Sequence, residues 1–259
     1  MARRAQRISR ASIEQPANLA QYNQTGCPGT SGWENPDIPM PTINHHRQEI
    51  TFKLAYQGPG LSGKTTCLKY IFNAMAADPS NTLRVQMHEF YGPQTPYDPD
   101  EMVFRYDDIS LYFSFNPPIP QRLDGRYRIR LELHICANQS IYRHPAQAAF
   151  LEHADGIVFV ADSQSARLEA NIESCEALQG SLIQYGYPYN EMPLILQCNK
   201  RDMPDIVPIH KIQQLLDMQD RTVFESVAVC GVGVIESLKE VTRLILAKHR
   251  RGRRPPAAN

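Results

Sequence analysis

The sequence predicts an α/β protein in which a mostly parallel β-sheet is covered by helices on both faces. Continuous apolar segments, which suit strands buried on both faces, alternate along the chain with segments of helical period. Clear examples of such strands are 156–161 (GIVFVA) and 193–198 (PLILQC). A glycine-rich segment directly after another strand, 49–57, is a second observation that favours this class, because such loops often join a strand to a helix.

The remaining elements follow in the order expected for this class. Strands are predicted at 49–57, near 83–88, 110–115 and 127–135, and at 156–161, 193–198 and 222–229. Helices are predicted at 64–77, within 143–153, at 165–185 and 208–218, and at about 232–250. Residues 89–109 contain three prolines, one glycine and six acidic residues, and we interpret them as a long functional loop.

The charge of the 259-residue chain is balanced overall but segregated along its length. Nine of its 27 basic residues lie in 1–10 and 248–259, which leaves 18 bases against all 27 acids in residues 11–247. We therefore predict a disordered polar arm with a basic start (1–47), a folded domain (48–248) and a basic disordered tail (249–259). The basic ends suit electrostatic contact with a membrane or another polyanion, and the alternatives are solvated ends or ends that fold back on the acidic body. No aromatic residues are interleaved with these bases, so no specific nucleic-acid partner is predicted.

The cysteines and the hydropathy favour a cytoplasmic protein. The six cysteines are widely spaced, show no metal-ligand spacing and are interpreted as reduced thiols. No stretch of 18 apolar residues and no lipidation motif is found in the sequence. The basic ends leave a polar or membrane-peripheral position open.

The segment 58–65 (GPGLSGKT) has the spacing of a P-loop. In such a loop, glycines allow backbone N–H groups to surround a phosphate chain at a helix N-terminus. Lys64 is placed to reach the outer phosphates, and the Thr65 hydroxyl is placed to bind Mg²⁺. The alternative is a simple glycine-rich turn, which the strand before it and the helix after it make less favourable.

The segment 199–202 (NKRD) follows an apolar strand and predicts recognition of guanine. The Asp202 carboxylate can accept hydrogen bonds from guanine N1–H and the 2-amino group, whereas adenine offers no such pair of donors. A third segment, 225–234, lies at the last strand-to-helix turn, where the Ala228 N–H is placed to contact guanine O6. Taken alone, NKRD also fits a charged turn.

These segments resemble the Ras-like small GTPases, and specifically the bacterial MglA family of gliding-motility and cell-polarity switches. The resemblance rests on 56–66 (YQGPGLSGKTT), 155–164 (DGIVFVADSQ), 197–202 (QCNKRD) and 227–234, and it covers about residues 48–248. It implies a six-stranded sheet, binding of GTP or GDP with Mg²⁺, two switch regions, a Roadblock-type activating protein and a cytoskeletal or polarity effector. The residues thereby predicted to contact the nucleotide are Gly58, Pro59, Gly60, Leu61, Ser62, Gly63, Lys64, Thr65, Thr66, Asn199, Lys200, Asp202, Ala228 and Val229.

The two switch regions depart from the family pattern. In the second, 135–139 (ICANQ), Gln139 is the candidate catalytic residue that orients water, while Asn138 replaces a glycine that senses the γ-phosphate. In the first, Ser110 replaces a metal-binding threonine and is the second candidate Mg²⁺ ligand. Ile109 replaces an arginine and cannot stabilise transition-state charge.

We therefore expect a GTP/GDP-dependent switch with slow intrinsic hydrolysis, a weak GTPase. The alternative is a nucleotide-binding scaffold, or pseudo-GTPase, with little or no hydrolysis. A P-loop metabolic kinase is disfavoured because NKRD would then have no role.

Overall fold

The computed structural model describes residues 41–79, 81, 84–89, 109–117, 122–123, 125–136, 151, 154–184 and 186–252. All of them belong to one compact unit, Asp37–Asn259. The strands are β1 Thr42–Asn44, β2 Glu49–Gln57, β3 Arg84–Glu89, β4 Ile109–Phe115, β5 Arg122–Leu123, β6 Tyr127–Cys136, β7 Gly156–Asp162, β8 Leu194–Asn199 and β9 Val223–Glu225. The helices are α1 Lys64–Ala76, α2 Leu168–Gln184, α3 Ile209–Leu215 and α4 Val234–Gly252.

The strands form one mixed sheet in the order β3-β4-β6-β2-β7-β8-β9. The five strands from β6 to β9 are parallel, and β4 and β3 are added antiparallel at one edge. The short strands β1 and β5 pair with β2 and β6. The predicted mostly parallel α/β sheet is confirmed. Its strand count differs from the expected six, because β3 extends the edge beyond β4 and two short hairpins add β1 and β5.

Two apolar cores cover the two faces of the sheet. On one face, α1 and α4 pack over residues such as Leu54 and Leu131, and on the other α2 and α3 pack over residues such as Phe159 and Leu196. The alternation along β2 explains this division, because Leu54 and its neighbour Ala55 point to opposite faces.

The sheet and the last helix extend past the domain boundaries expected from the sequence. Thr42–Asn44, which the boundary at 48 places in the arm, pairs in register with Glu49–Thr51 as β1. Helix α4 continues to Gly252, four residues into the expected tail. The ring of His249 packs edge-on against Phe52 at 5.4 Å, which gives the last turn of α4 a partner in the core. Among the helices that the structure describes, none is both long and apolar enough to cross a membrane.

Asp155 is a buried carboxyl group at the start of β7. Its Oδ2 accepts a hydrogen bond from the Lys53 amide at 2.7 Å, and its own amide donates to the Lys53 carbonyl at 2.8 Å. Burial raises the pKa of Asp155 to about 7, although the Lys53 hydrogen bond and the charges of Lys53 and Lys248 act in the opposite direction. The carboxyl group is therefore largely protonated in the folded state below neutral pH.

This raised pKa predicts a loss of stability as the pH increases. Between pH 4 and 7 the folded state retains a proton that the unfolded state has released, so the free energy of unfolding falls over this interval, by at most about 4 kcal/mol. Asp155→Asn keeps a hydrogen-bond acceptor and carries no charge. We expect its urea unfolding midpoint to exceed the wild-type midpoint at pH 8 and to equal it at pH 4. The exposed control Asp220→Asn should show no such crossover, and a variant destabilised at both pH values would contradict the expectation.

Candidate functional site: a nucleotide-binding edge

The polar segments predicted from the sequence meet at one edge of the sheet. Parallel strands end at the same edge, so the loops that follow β2, β7, β8 and β9 lie side by side. These loops are 58–63, 163–164, 200–207 and 226–233. The structure therefore brings together segments that are up to about 170 residues apart in the sequence.

The loop after β2 requires glycine at both of its ends. Gly58 has φ 133° and Gly63 has φ 101°, and residues other than glycine rarely adopt such positive values. A Cβ at Gly58 would lie 2.2 Å from the Val160 carbonyl oxygen, and one at Gly63 would lie 2.2 Å from Asn199 Nδ2. Between them, Leu61 also has a positive φ of 63°, and its side chain is 74% exposed. The backbone of this loop is thus held against β7 and β8.

The N-terminus of α1 fits a phosphate group. Gly63 is the N-cap residue, no side chain caps the helix, and the first turn contains no acid. The first amides of a helix have no partner within it and favour an anion. Lys64 Nζ donates to the Gly58 and Pro59 carbonyls at 2.8 and 2.7 Å, which holds its ammonium group across the loop. Thr65 and Thr66 follow in the first turn, so a hydroxyl is available there for Mg²⁺.

Asn199 connects three of the loops. Its side chain is buried, and Nδ2 donates to the Ser62 carbonyl at 2.8 Å. Its Oδ1 accepts hydrogen bonds from the Ala228 amide at 2.9 Å and from Ser226 Oγ at 3.1 Å. The first residue of NKRD therefore fixes the spacing between the phosphate-binding loop and the 226–233 loop.

Lys200 is held by the carboxylate that ends β7. Lys200 has a positive φ of 65°, and its Nζ lies 2.6 Å from Oδ2 of Asp162, whose side chain is fully buried. Arg167 approaches the same oxygen at 3.9 Å and donates a hydrogen bond to the Gly60 carbonyl at 2.8 Å. Two cations thus share one buried carboxylate, and one of them also supports the phosphate-binding loop.

Arg167 is a residue of the site that was not predicted from the sequence. It lies in the short 3-10 helix Ser165–Arg167, five residues beyond Asp162. A single arginine in a polar turn resembles many surface residues. Only the path of the chain after β7 brings it to Gly60.

The residues predicted to recognise the base lie at the same edge. The Asp202 side chain is exposed, so its carboxylate is accessible to the hydrogen-bond donors of a base. The Ala228 amide, predicted to contact guanine O6, is already a donor to Asn199, so an O6 contact would share this N–H. Val229, the next residue, is 78% exposed.

Only part of the two predicted switch regions lies within the described residues. The backbone of Ser110 pairs with Cys136 at the start of β4, which places it at the same edge as the phosphate-binding loop. Ile109 pairs with Glu89 of β3. The candidate catalytic residue Gln139 and its neighbour Asn138 lie outside the described residues.

The thiol of Cys67, in the helix that follows the loop, is unreactive. Cys67 is buried in the first half of α1 and accepts a hydrogen bond from Gln197 Nε2 at 3.1 Å. Burial raises its pKa to about 12, against the opposing effects of Gln197 and Lys64. Cys67, Cys175, Cys198 and Cys230 are all free. Cys67 therefore stays protonated and contributes packing.

A phosphate-binding loop after the central strand and an NKxD segment after β8, on a sheet of this order, define the Ras-like class of P-loop guanine-nucleotide-binding folds. The chain is similar to the mutual gliding-motility protein MglA of Myxococcus xanthus (strain DK1622), with 36% identity over 213 residues that cover 82% of this chain and 100% of the relative. No family model matches it. At this identity and coverage, the chain belongs to the MglA family of small Ras-like GTPases.

Proposed function

We propose that this protein is a guanine-nucleotide switch that binds GTP and GDP with Mg²⁺ and hydrolyses GTP slowly. The observation that carries the proposal is the Asn199 side chain, which joins the phosphate-binding loop at Ser62 to the base-recognition loop at Ala228. Such a connection couples the two ends of one bound nucleotide. By similarity to a gliding-motility protein, the process served is cell motility or polarity.

The residues of the site have separate roles in binding. Backbone amides of 60–66 and the Lys64 ammonium hold the phosphates, with Pro59 turning the loop. Thr65 and Ser110 are the protein ligands for Mg²⁺, which when bound neutralises charge on the β- and γ-phosphates. Asp202 accepts from the guanine base, and Lys200 lies beside it, oriented by Asp162.

Hydrolysis depends on the two switch regions, in which Gln139 keeps the family pattern and Ile109 departs from it. Gln139 orients the attacking water, and a Roadblock-type protein assists it. Ile109 provides no charge, and its backbone is part of the β3–β4 ladder rather than a free loop. An arginine that stabilises the transition state contributes on the order of 10³-fold or more, so its loss favours slow turnover.

The same observation at Ile109 favours a second candidate, a nucleotide-binding scaffold with little or no hydrolysis. In that case bound GTP or GDP stabilises the fold and the basic ends recruit partners. A cytoskeletal or polarity effector fits either candidate. In both, we place the protein in the cytoplasm.

Single-turnover hydrolysis of GTP decides between the two candidates. Purified protein loaded with GTP and Mg²⁺ is followed with and without an excess of a Roadblock-type partner. The switch predicts at least a tenfold higher rate with the partner, and loss of that increase in Gln139→Leu. A rate that stays at the intrinsic value in excess partner, while GTP remains bound, would reject the switch and leave the scaffold.

A further inference from the structure

Four exposed arginines lie at the end of the sheet opposite to the nucleotide site. They are Arg47 in the β1–β2 turn and Arg122, Arg126 and Arg128 of the β5–β6 hairpin, and we call them the basic patch. Both turns lie at the N-terminal ends of β2 and β6, whereas the phosphate-binding loop follows the C-terminal end of β2. The patch stands out because the body of the chain is acidic overall.

The two turns that carry the patch are held together by specific contacts. The Arg128 amide donates to the Gln48 carbonyl at 2.7 Å, and the Tyr127 hydroxyl lies 2.9 Å from His45 Nδ1. The Arg126 guanidinium lies over the Tyr127 ring, 5.3 Å from its centroid. These contacts therefore hold the two turns that carry the arginines in a fixed relative position.

The arrangement is electrostatically unfavourable in isolation. Arg122 and Arg128 are direct partners in the antiparallel β5–β6 pair, so their side chains leave the same face about 5 Å apart. Like charges at such positions destabilise a sheet. The ion pairs found in the described part of the chain involve none of the four arginines. The hairpin also contains Asp124, outside the described residues, but three arginines against one aspartate leave it positive.

Neighbouring segments add positive charge at this end. Helix α4 runs back from the nucleotide edge, and the contact of His249 with Phe52 brings Arg250 and Arg251 to the same end of the domain. The sequence continues with Arg253 and Arg254 and contains no acid after Gly252. Residues 1–40 contain four arginines and three acids, so the arm carries no surplus of negative charge to neutralise the patch.

We propose that the basic patch binds the anionic headgroup surface of a lipid bilayer, with the nucleotide edge facing away from it. A diffuse layer of negative charge satisfies several separated arginines without a shaped pocket, at about 1 kcal/mol per base, which corresponds to roughly fivefold in affinity for each. The proposal concerns the folded domain and does not depend on hydrolysis.

Two other classes of partner, a protein surface and a nucleic acid, fit the patch less well. A protein interface is built around apolar or aromatic anchors, and the exposed large apolar residues of the described regions, among them Leu61, Ile183 and Val229, all lie outside the patch. Single-stranded nucleic acid needs aromatic platforms, and the one aromatic residue within the β5–β6 hairpin, Tyr127, is buried. A duplex groove admits a helix or an extended ribbon, whereas the patch consists of two short turns.

Vesicle co-sedimentation of the full chain, loaded with GDP, tests the proposal. The vesicles are pure phosphatidylcholine or a mixture with about one third phosphatidylglycerol, at low and physiological salt. The test variant is Arg122→Gln/Arg126→Gln/Arg128→Gln. The control, Lys69→Gln/Lys211→Gln/Arg243→Gln, removes the same charge from exposed positions on α1, α3 and α4.

We expect wild type and control to bind the anionic vesicles and not the neutral ones, and the patch variant to bind roughly 100-fold more weakly. GDP affinity should not fall in the patch variant, and its melting temperature should change little, since relief of the Arg122–Arg128 repulsion offsets loss of the Arg126–Tyr127 contact. If the control variant lost as much binding to anionic vesicles as the patch variant, net charge alone would explain the effect and the proposal would be overturned. Failure of the wild-type protein to bind anionic vesicles would also overturn the proposal, whether or not it binds an RNA oligonucleotide or an acidic peptide.

Discussion

Replacing Gly58 with alanine is expected to destabilise the folded domain strongly and to weaken nucleotide binding with it. The φ of 133° at Gly58 is a conformation nearly restricted to glycine, so alanine there costs about 1–3 kcal/mol in backbone strain. The added Cβ would also lie 2.2 Å from the Val160 carbonyl oxygen. Val160 pairs with Gln197 in the centre of the sheet, so this oxygen cannot move without breaking the ladder. Overpacking of this kind costs about 1–3 kcal/mol more.

The free energy of unfolding of an ordinary domain is about 5–15 kcal/mol, so the two effects together remove a large part of it. Urea unfolding and soluble yield measure the loss. Gly180→Ala is the matched control, because Gly180 lies within α2 and a Cβ there would meet nothing within 4 Å. That variant should be more stable than wild type by about 0.5–1 kcal/mol. An unchanged unfolding midpoint in Gly58→Ala would falsify the described path of the loop against β7.

Replacing Asp202 with asparagine is expected to change the preferred base. The carboxylate accepts two hydrogen bonds from guanine, whereas the asparagine amide has one acceptor and one donor group. Each charge-assisted hydrogen bond contributes about 1.5–3 kcal/mol, so GTP should bind roughly 100-fold more weakly or worse. Xanthosine triphosphate offers an oxygen in place of the 2-amino group and should bind the variant better than GTP.

Competition against a fluorescent guanine nucleotide measures both affinities. Because the Asp202 side chain is exposed, the exchange should leave the free energy of unfolding of the ligand-free protein unchanged. Asp220→Asn makes the same chemical change at an exposed position outside the site and should alter neither affinity. Equal losses for GTP and xanthosine triphosphate in Asp202→Asn would remove guanine recognition from this residue.

The proposed bilayer contact and the nucleotide edge lie at opposite ends of the same strands. A domain bound through Arg122 and Arg128 would present the loops around Lys64 and Asp202 on the side away from the bilayer. An activator or effector could then reach the nucleotide edge while the protein remains on the membrane. Position and nucleotide state could thus be controlled separately.

Much of this fold was predictable because its strands are long and apolar. β7 and β8 are buried along their whole length, and the sequence marks them as continuous apolar runs. β1 was missed, because a three-residue strand of polar character carries no period and forms only by pairing with β2. The domain boundary expected at 248 falls within α4, because the basic residues after it suggested a tail, whereas the helix continues to Gly252 and His249 packs against Phe52.

The candidate site was also predictable in part: its local motifs were, and its long-range contacts were not. The positions of the glycines, Lys64 and NKRD follow from local spacing, since a strand, a loop and a helix N-terminus are all that a phosphate site requires. Arg167 reaches Gly60 across 107 residues of sequence, and Asn199 reaches Ser62 across 137. No local pattern reports such contacts.

The sequence by itself determined the class of fold, the candidate phosphate-binding loop and the candidate guanine motif, because each depends on residues close together in the chain. Only the tertiary structure decided that Asn199 joins the loops, that Asp162 holds Lys200, and that four arginines from two distant turns form one surface. Those contacts depend on the order in which the strands pair, and the pairing brings residues together that are separated by up to about 140 positions.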